Sequence, residues 1–318
     1  MKTLFSRNMS LNLISVNKSF GTKRVIENLD LSIPKGEVFG FLGPNGAGKT
    51  TTMRMILDII RPDSGQVTWQ NKIVSLATAR SFGYLPEERG LYPKMMVADQ
   101  MNFFARLRGL SKAEAEKRIG YWSERFQLGE LVKKKANELS KGNQQKIQFI
   151  IAILHQPDLL ILDEPFSGLD PVNVELLKTA FRDLAKEGRT ILFSSHRMDH
   201  IEELCDSLCI IKEGRLIAKG SVGSIKRLTG RQIIRLSIVG SLDFLKDFPL
   251  DLAKLGSNIS KQEEGLTQAV KEVEFDLPKG IDPQDILQRA IEQGQVKHFE
   301  IGDPSLNEVF ISLVGGNV

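Results

Sequence analysis

Two stretches of the chain carry residue types that could do phosphate chemistry together. Gly43-Pro44-Asn45-Gly46-Ala47-Gly48-Lys49-Thr50 follows the spacing G-x4-G-K-[ST], and Thr51 follows it. Glycines at such spacing let successive backbone N–H groups turn inward around a phosphate, and a helix that starts there adds its N-terminal dipole. Lys49 would supply charge to the outer phosphates, and the Thr50 hydroxyl would ligate Mg²⁺. Much later, the apolar run 159–162 ends in Asp163-Glu164. An apolar strand ending in two carboxylates holds them rigidly. Asp163 would bind Mg²⁺ through water, and Glu164 would polarise an attacking water as general base.

The elements that must position these groups read as alternating strands and helices. Residues 11–33 alternate apolar and polar side chains and break at Phe20-Gly21, which predicts a hairpin. Residues 37–42 predict a short strand before the glycine loop, and 49–60 a helix after it. Residues 66–74 and 81–86 predict further strands. The pattern over 97–139 is helical almost throughout, with a capping box at Ser111-Lys112-Ala113-Glu114. Then follow a helix over 141–155, the acidic strand, a helix over 173–186, a strand over 190–194 and a helix over 198–205. A strand over 208–211 and a turn at Glu213-Gly214-Arg215 close the series. This order predicts an α/β sheet with a helical insertion between the loop and the acidic strand. Beyond about residue 222 the character changes. Strands over 233–239, 272–277 and 296–301, with helices over 282–293 and 305–313, predict a small α+β module that carries no chemical motif.

Composition excludes several classes. The 318 residues suffice for two domains; 41% are hydrophobic and 26% charged, as in ordinary globular proteins. The net charge of +4 is spread among interspersed Lys/Arg and Asp/Glu, which argues against nucleic acid as a partner. Two cysteines, Cys205 and Cys209, make no disulfide framework, and a reduced cytosol fits. Residues 1–20 show no secretory signal, and no run approaches the roughly 20 apolar residues of a membrane span.

A third cluster, Ser140-Lys141-Gly142-Asn143-Gln144, stands just ahead of the acidic strand. Together with the loop, Asp163-Glu164 and the following Pro165-Phe166-Ser167-Gly168-Leu169-Asp170, it makes residues 9–222 resemble the ATP-binding subunits of ABC transporters. The resemblance implies a P-loop NTPase core with an N-terminal antiparallel β subdomain and a helical subdomain over about 95–155. A small C-terminal α+β accessory domain over 223–318 completes the expected fold. It implies ATP and Mg²⁺ as ligands, with Lys49, Glu164 and His196 catalytic. Phe20 would stack on adenine, and Gly43 to Thr51 would cradle the phosphates. Ser140 to Gln144 and Asp170 would reach the nucleotide of a second copy, so the resemblance implies a homodimer or pseudo-dimer. Thr50, Asp163 and Glu87 would face the metal. Glu87 departs from the glutamine usual there, and Lys141 and Asn143 depart from the usual glycine and glutamine.

The segment Pro86-Glu87-Glu88-Arg89-Gly90-Leu91-Tyr92-Pro93-Lys94, then Phe104 to Leu110, is similar to the ATPases of bacterial type 2 exporters, NatA-like sodium-efflux subunits among them. The ending Pro304-Ser305-Leu306-Asn307-Glu308-Val309-Phe310 resembles the accessory domain of the same group. The branch implies an ATPase on the cytoplasmic face of the cell membrane, driving a separate permease that exports sodium ions or drugs. A soluble relative acting on ribosomes or DNA is the alternative, but such chains usually hold two cassettes or long charged arms. An importer ATPase would end in an all-β barrel rather than a module with helices.

Overall fold

The computed structural model describes residues 9–315 except 89, 251–255, 260–269 and 279. Residues 1–8, read above for a leader, and Arg89 of the exporter-like segment lie outside the described residues. The chain divides into two compact units, Met1–Val222 and Gly223–Val318.

In the first unit, β1 (Met9–Phe20) and β2 (Lys23–Pro34) form the expected hairpin. With β4 (Ser64–Trp69) and β5 (Lys72–Ile73) they make an antiparallel sheet in the order β2-β1-β4-β5. The central sheet has the order β10-β9-β3-β8-β7-β6. Its parallel strands are β3 (Val38–Leu42), β6 (Gly83–Leu85), β7 (Leu159–Asp163), β8 (Thr190–Ser194) and β9 (Ser207–Lys212); β10 (Arg215–Ser221) runs antiparallel at one edge. Every residue of β3, β7 and β8 is buried. A parallel strand covered on both faces needs an unbroken apolar run, and that is why these three were readable as such. One core joins the two sheets: Leu11, Leu13 and Leu29 of the hairpin meet Phe39, Phe41, Ile161 and Leu192 of the central strands.

Helix α1 (Lys49–Ile56) follows the glycine loop, and α2 (Leu76–Ala79) precedes β6. Helices α3 (Val97–Leu107), α4 (Lys112–Arg125) and α5 (Lys141–Ile153) form the insertion. Helices α6 (Pro171–Lys186) and α7 (Met198–Leu204) flank β8. Two expectations are corrected here. The helix expected over 49–60 ends at Ile56, because Asp58 takes a left-handed φ of 53°. The helical pattern expected over 97–139 is present in α3 and α4 but stops at Arg125. Gln127 and Gly129 have φ of 54° and 48°, and residues 126–139 continue through short 3₁₀ turns at Gly129–Lys133 and Ala136–Glu138. A left-handed residue ends an α-helix by turning the next N–H out of register.

The second unit begins inside the short α8 (Val222–Lys226). Strands β11 (Ile233–Gly240), β12 (Gly256–Ile259), β13 (Lys271–Asp276) and β14 (Gly294–Gly302) form an antiparallel sheet ordered β12-β13-β11-β14. Helix α9 (Pro283–Gln293) places Ile286 and Ala290 against Ile234, Leu236 and Ile238, and α10 (Leu306–Val314) starts with a capping box at Ser305 and Glu308. Strands β10 and β12 are absent from the sequence reading. In β10 exposed residues alternate with half-buried ones, so it shows no apolar run.

Candidate functional site

The carboxyl ends of β3, β6, β7 and β8 lie side by side, the position where open parallel sheets bind ligands. A cavity of ≈ 380 Å³ opens there, lined among others by Asn45, Gly46, Gly48, Lys49, Thr50, Thr51, Glu87, Asp163 and Glu164. The loop after β3 can take its path only with glycine at two points. A Cβ on Gly43 would sit 2.4 Å from the Ile211 carbonyl oxygen. Gly48 has φ of 104°, and a Cβ there would sit 2.4 Å from Ile26 Cδ1. Because Gly48 caps α1 without a side chain and the first turn holds no acidic residue, the leading N–H groups of the helix stay free for an anion.

Lys49 Nζ donates to the Gly43 and Pro44 carbonyls at 2.7 and 3.2 Å. Burial lowers its pKa, while Glu164, Asp163 and Glu87 act in the opposite direction. Thr50 Oγ1 donates to Asp163 Oδ2 at 2.8 Å, and Ser194 Oγ donates to Asp163 Oδ1 at 2.5 Å. Asp163 is only 1% exposed, so these two hydroxyls fix its plane. The next residue, Glu164, turns with φ of 50°, a sparsely populated conformation for a side-chain-bearing residue. Its N–H donates to Ser194 Oγ at 3.0 Å, and its Oε2 lies 2.9 Å from His196 Nδ1. Burial raises the Glu164 pKa, against the pull of His196 and Lys49. Hard oxygen donors, one hydroxyl and one carboxylate beside a phosphate cradle, suit Mg²⁺. Among the described residues no group of three or more His, Cys, Asp or Glu could hold a metal by itself. A metal bound by few protein ligands together with phosphates fits that donor set.

The remaining candidates lie outside this cavity's lining. Phe20 ends β1, 49% exposed, with Lys18 Nζ 5.5 Å from its ring centre. Ser140 caps α5 by accepting the Asn143 N–H, and Gln144 Nε2 donates to the Ala136 and Leu139 carbonyls. Lys141 is exposed at the start of that helix. Gly142 packs on the loop after the acidic strand: a Cβ there would sit 3.2 Å from the Gly168 oxygen. Asp170 caps α6 through the Asn173 N–H, and these bonds lower its pKa.

Two residues of the site escaped the sequence reading in this role. Ser194 is in register with Asp163 across β7 and β8, so a hydroxyl ending an apolar strand was the available signal. Gln145 Nε2 donates to the Glu164 and Pro165 carbonyls at 3.3 and 2.9 Å. Nothing local in the sequence marks it.

Residues 26–167 match a family model described as ABC transporter, and residues 220–314 match one described as the C-terminal domain of DrrA1-3-like ATP-binding proteins. The chain is 47% identical to the uncharacterized ABC transporter ATP-binding protein YhaQ of Bacillus subtilis, over 96% of this chain and 98% of that one. It is 36% identical to the ABC transporter ATP-binding protein NatA of the same organism, over 64% of this chain and 84% of that one. Among solved structures, an ATP-binding subunit of an ABC transporter superposes with a TM-score of 0.65 at 32% identity, covering 70% of this chain and 93% of that one.

Proposed function

The chain belongs to the family of ABC transporter ATP-binding proteins, ATPases that dimerise and work with membrane permeases; from that premise we propose that it drives an exporter from the cytoplasmic face of the cell membrane. No helix among the described residues is long and apolar enough to cross a membrane. The similarity to NatA and the DrrA1-3-like match over residues 220–314 support the exporter branch. The cargo it implies is a sodium ion or a drug. A role on ribosomes or DNA is not favoured, since every relative named above carries the ABC transporter description.

The observation that carries the catalytic reading is one cavity lined by Lys49, Thr50, Asp163 and Glu164, with Ser194 bonded to Asp163 and His196 beside Glu164. Lys49 exchanges its two loop carbonyls for phosphate oxygens of ATP, and the free N–H groups of α1 hold the same phosphates. Thr50, Asp163 and Glu87 are the residues that would hold Mg²⁺, which when bound neutralises charge developing on the phosphates. Glu164 takes a proton from the attacking water. His196 orients that carboxylate and reaches the γ-phosphate. Phe20 stacks on the adenine. Ser140 to Gln144 at the start of α5, with Asp170, contact the nucleotide of the partner copy.

Glu164→Gln tests the assignment of the base. The variant should bind ATP and form an ATP-dependent dimer, while hydrolysis falls by about 100-fold or more, the usual worth of a positioned base. Unchanged hydrolysis in a steady-state phosphate assay would remove Glu164 from the mechanism.

A further inference from the structure

A larger cavity, ≈ 480 Å³, lies between one face of α4, the end of α5 and the turn joining α6 to β8, and it shares no lining residue with the nucleotide cavity. Its size falls within the range of small-molecule sites. The walls are apolar and aromatic, with Trp122 and Tyr121 meeting edge to face at 5.1 Å and Ile153 and Leu184 beside them. Three cations line it, Lys117, Arg118 and Arg189, against two anions, Glu114 and Glu187.

The charges are not equally available. Glu114 is held by Ser111 in the capping box of α4. Arg189 pairs with Asp158 at 3.0 Å, and Glu187 stands 3.9 Å from it. Arg118, in contrast, spends one nitrogen on the Leu154 carbonyl at 2.8 Å, a neutral partner that leaves its charge in place. Lys117 is exposed and makes no hydrogen bond or ion pair among the described residues. A pocket with rings on its walls, an unpaired Lys117 at its rim and Arg118 sharing its charge with Glu114 favours one kind of guest. The rings take a flat apolar body by stacking, and the cations take an acid group by charge-assisted hydrogen bonds.

We propose that this cavity is a second binding site, for a planar aromatic molecule bearing one carboxylate or sulfonate, seated against Trp122 and Tyr121 with its acid group on Lys117 and Arg118. The site stands whatever the cargo of the transporter is.

Titration calorimetry on the full chain tests it, with naphthalene-1-sulfonate as the probe and the nucleotide site filled with ADP and Mg²⁺. The expected result is saturable one-to-one binding below about 1 mM, with uncharged naphthalene-1-methanol at least about fivefold weaker, the worth of a partly exposed charge pair. Lys117→Glu, an exposed change that should leave the melting temperature alone, should weaken the sulfonate by a similar factor and leave the alcohol unaffected. Absence of saturable binding, equal affinity for sulfonate and alcohol, indifference to Lys117→Glu, or displacement by ADP would each overturn the proposal.

Discussion

At the scale of single residues, burial sets the protonation of the side chains that matter, and it does so in opposite directions. Glu164 is held toward the protonated form by desolvation, although a base must be ionised. Its activity should therefore decline on the acid side at a higher pH than an ordinary carboxylate would dictate. His155 shows the same force on a base. It follows α5 with Nε2 at 3.2 Å from the Phe82 carbonyl, and burial together with the nearby Arg108 and Arg118 charges lowers its pKa to about 4. Below pH 6.5 the unfolded chain takes up a proton that the folded chain refuses. Stability from this residue is thus fully present above 6.5 and is lost as pH falls toward 4. Between pH 7 and 4.5 the loss is about 2 kcal/mol. His155→Gln keeps a donor for Phe82 and has no titration there. Urea unfolding at the two pH values should show the parent losing about 2 kcal/mol more than the variant; equal losses would place the proton elsewhere.

At the scale of elements, α5 carries two roles at its two faces. Its start displays Ser140, Lys141 and Gly142 next to the 168–169 loop, and its inner face is tied to the acidic strand by Gln145. Phe149 extends that tie, stacked on Phe181 and tilted against Phe126, and Phe181 meets Phe193 of β8. Gln145→Leu removes the donor from two main-chain oxygens that hold the turn at Glu164. It should cost about 1–3 kcal/mol in thermal unfolding. Single-turnover hydrolysis should slow while ATP affinity changes little; an equal loss of both would mean that Gln145 supports the whole cavity. This element also shows what was legible beforehand. The glycine loop was readable because its backbone path demands glycine, and the acidic strand because a strand buried on both faces needs an apolar run, whereas the cluster at 140–144 was readable only by resemblance. Gln145 was not, since its partner lies across a tertiary contact that no spacing encodes. The end of α4 was missed for a related reason: Gln127 and Gly129 turn left-handed while the neighbouring Phe126 and Leu128 keep apolar periodicity.

At the scale of the whole molecule, each unit has a core of its own among the described residues. The cluster built on Leu11, Phe39 and Ile161 contains no residue beyond Leu216, and the one built on Ile234, Phe275 and Ile286 contains none before it. Each unit therefore excludes water from its own apolar side chains, and the second is further braced by Arg231 and Arg235, which pair with Asp276 and with Glu274 and Glu300. Every group assigned to the nucleotide lies in the first unit. We predict that residues 1–222 produced alone fold cooperatively and bind ATP within about threefold of the full chain, a difference of well under 1 kcal/mol. Fluorescence titration with a labelled ATP analogue measures this directly. Residues 223–318, with a small core for their length, should fold by themselves but melt at a lower temperature. Loss of ATP binding in 1–222 would show that the second unit completes the nucleotide site. Retained binding and hydrolysis, joined to failure to assemble with the permease, would assign the second unit to assembly instead.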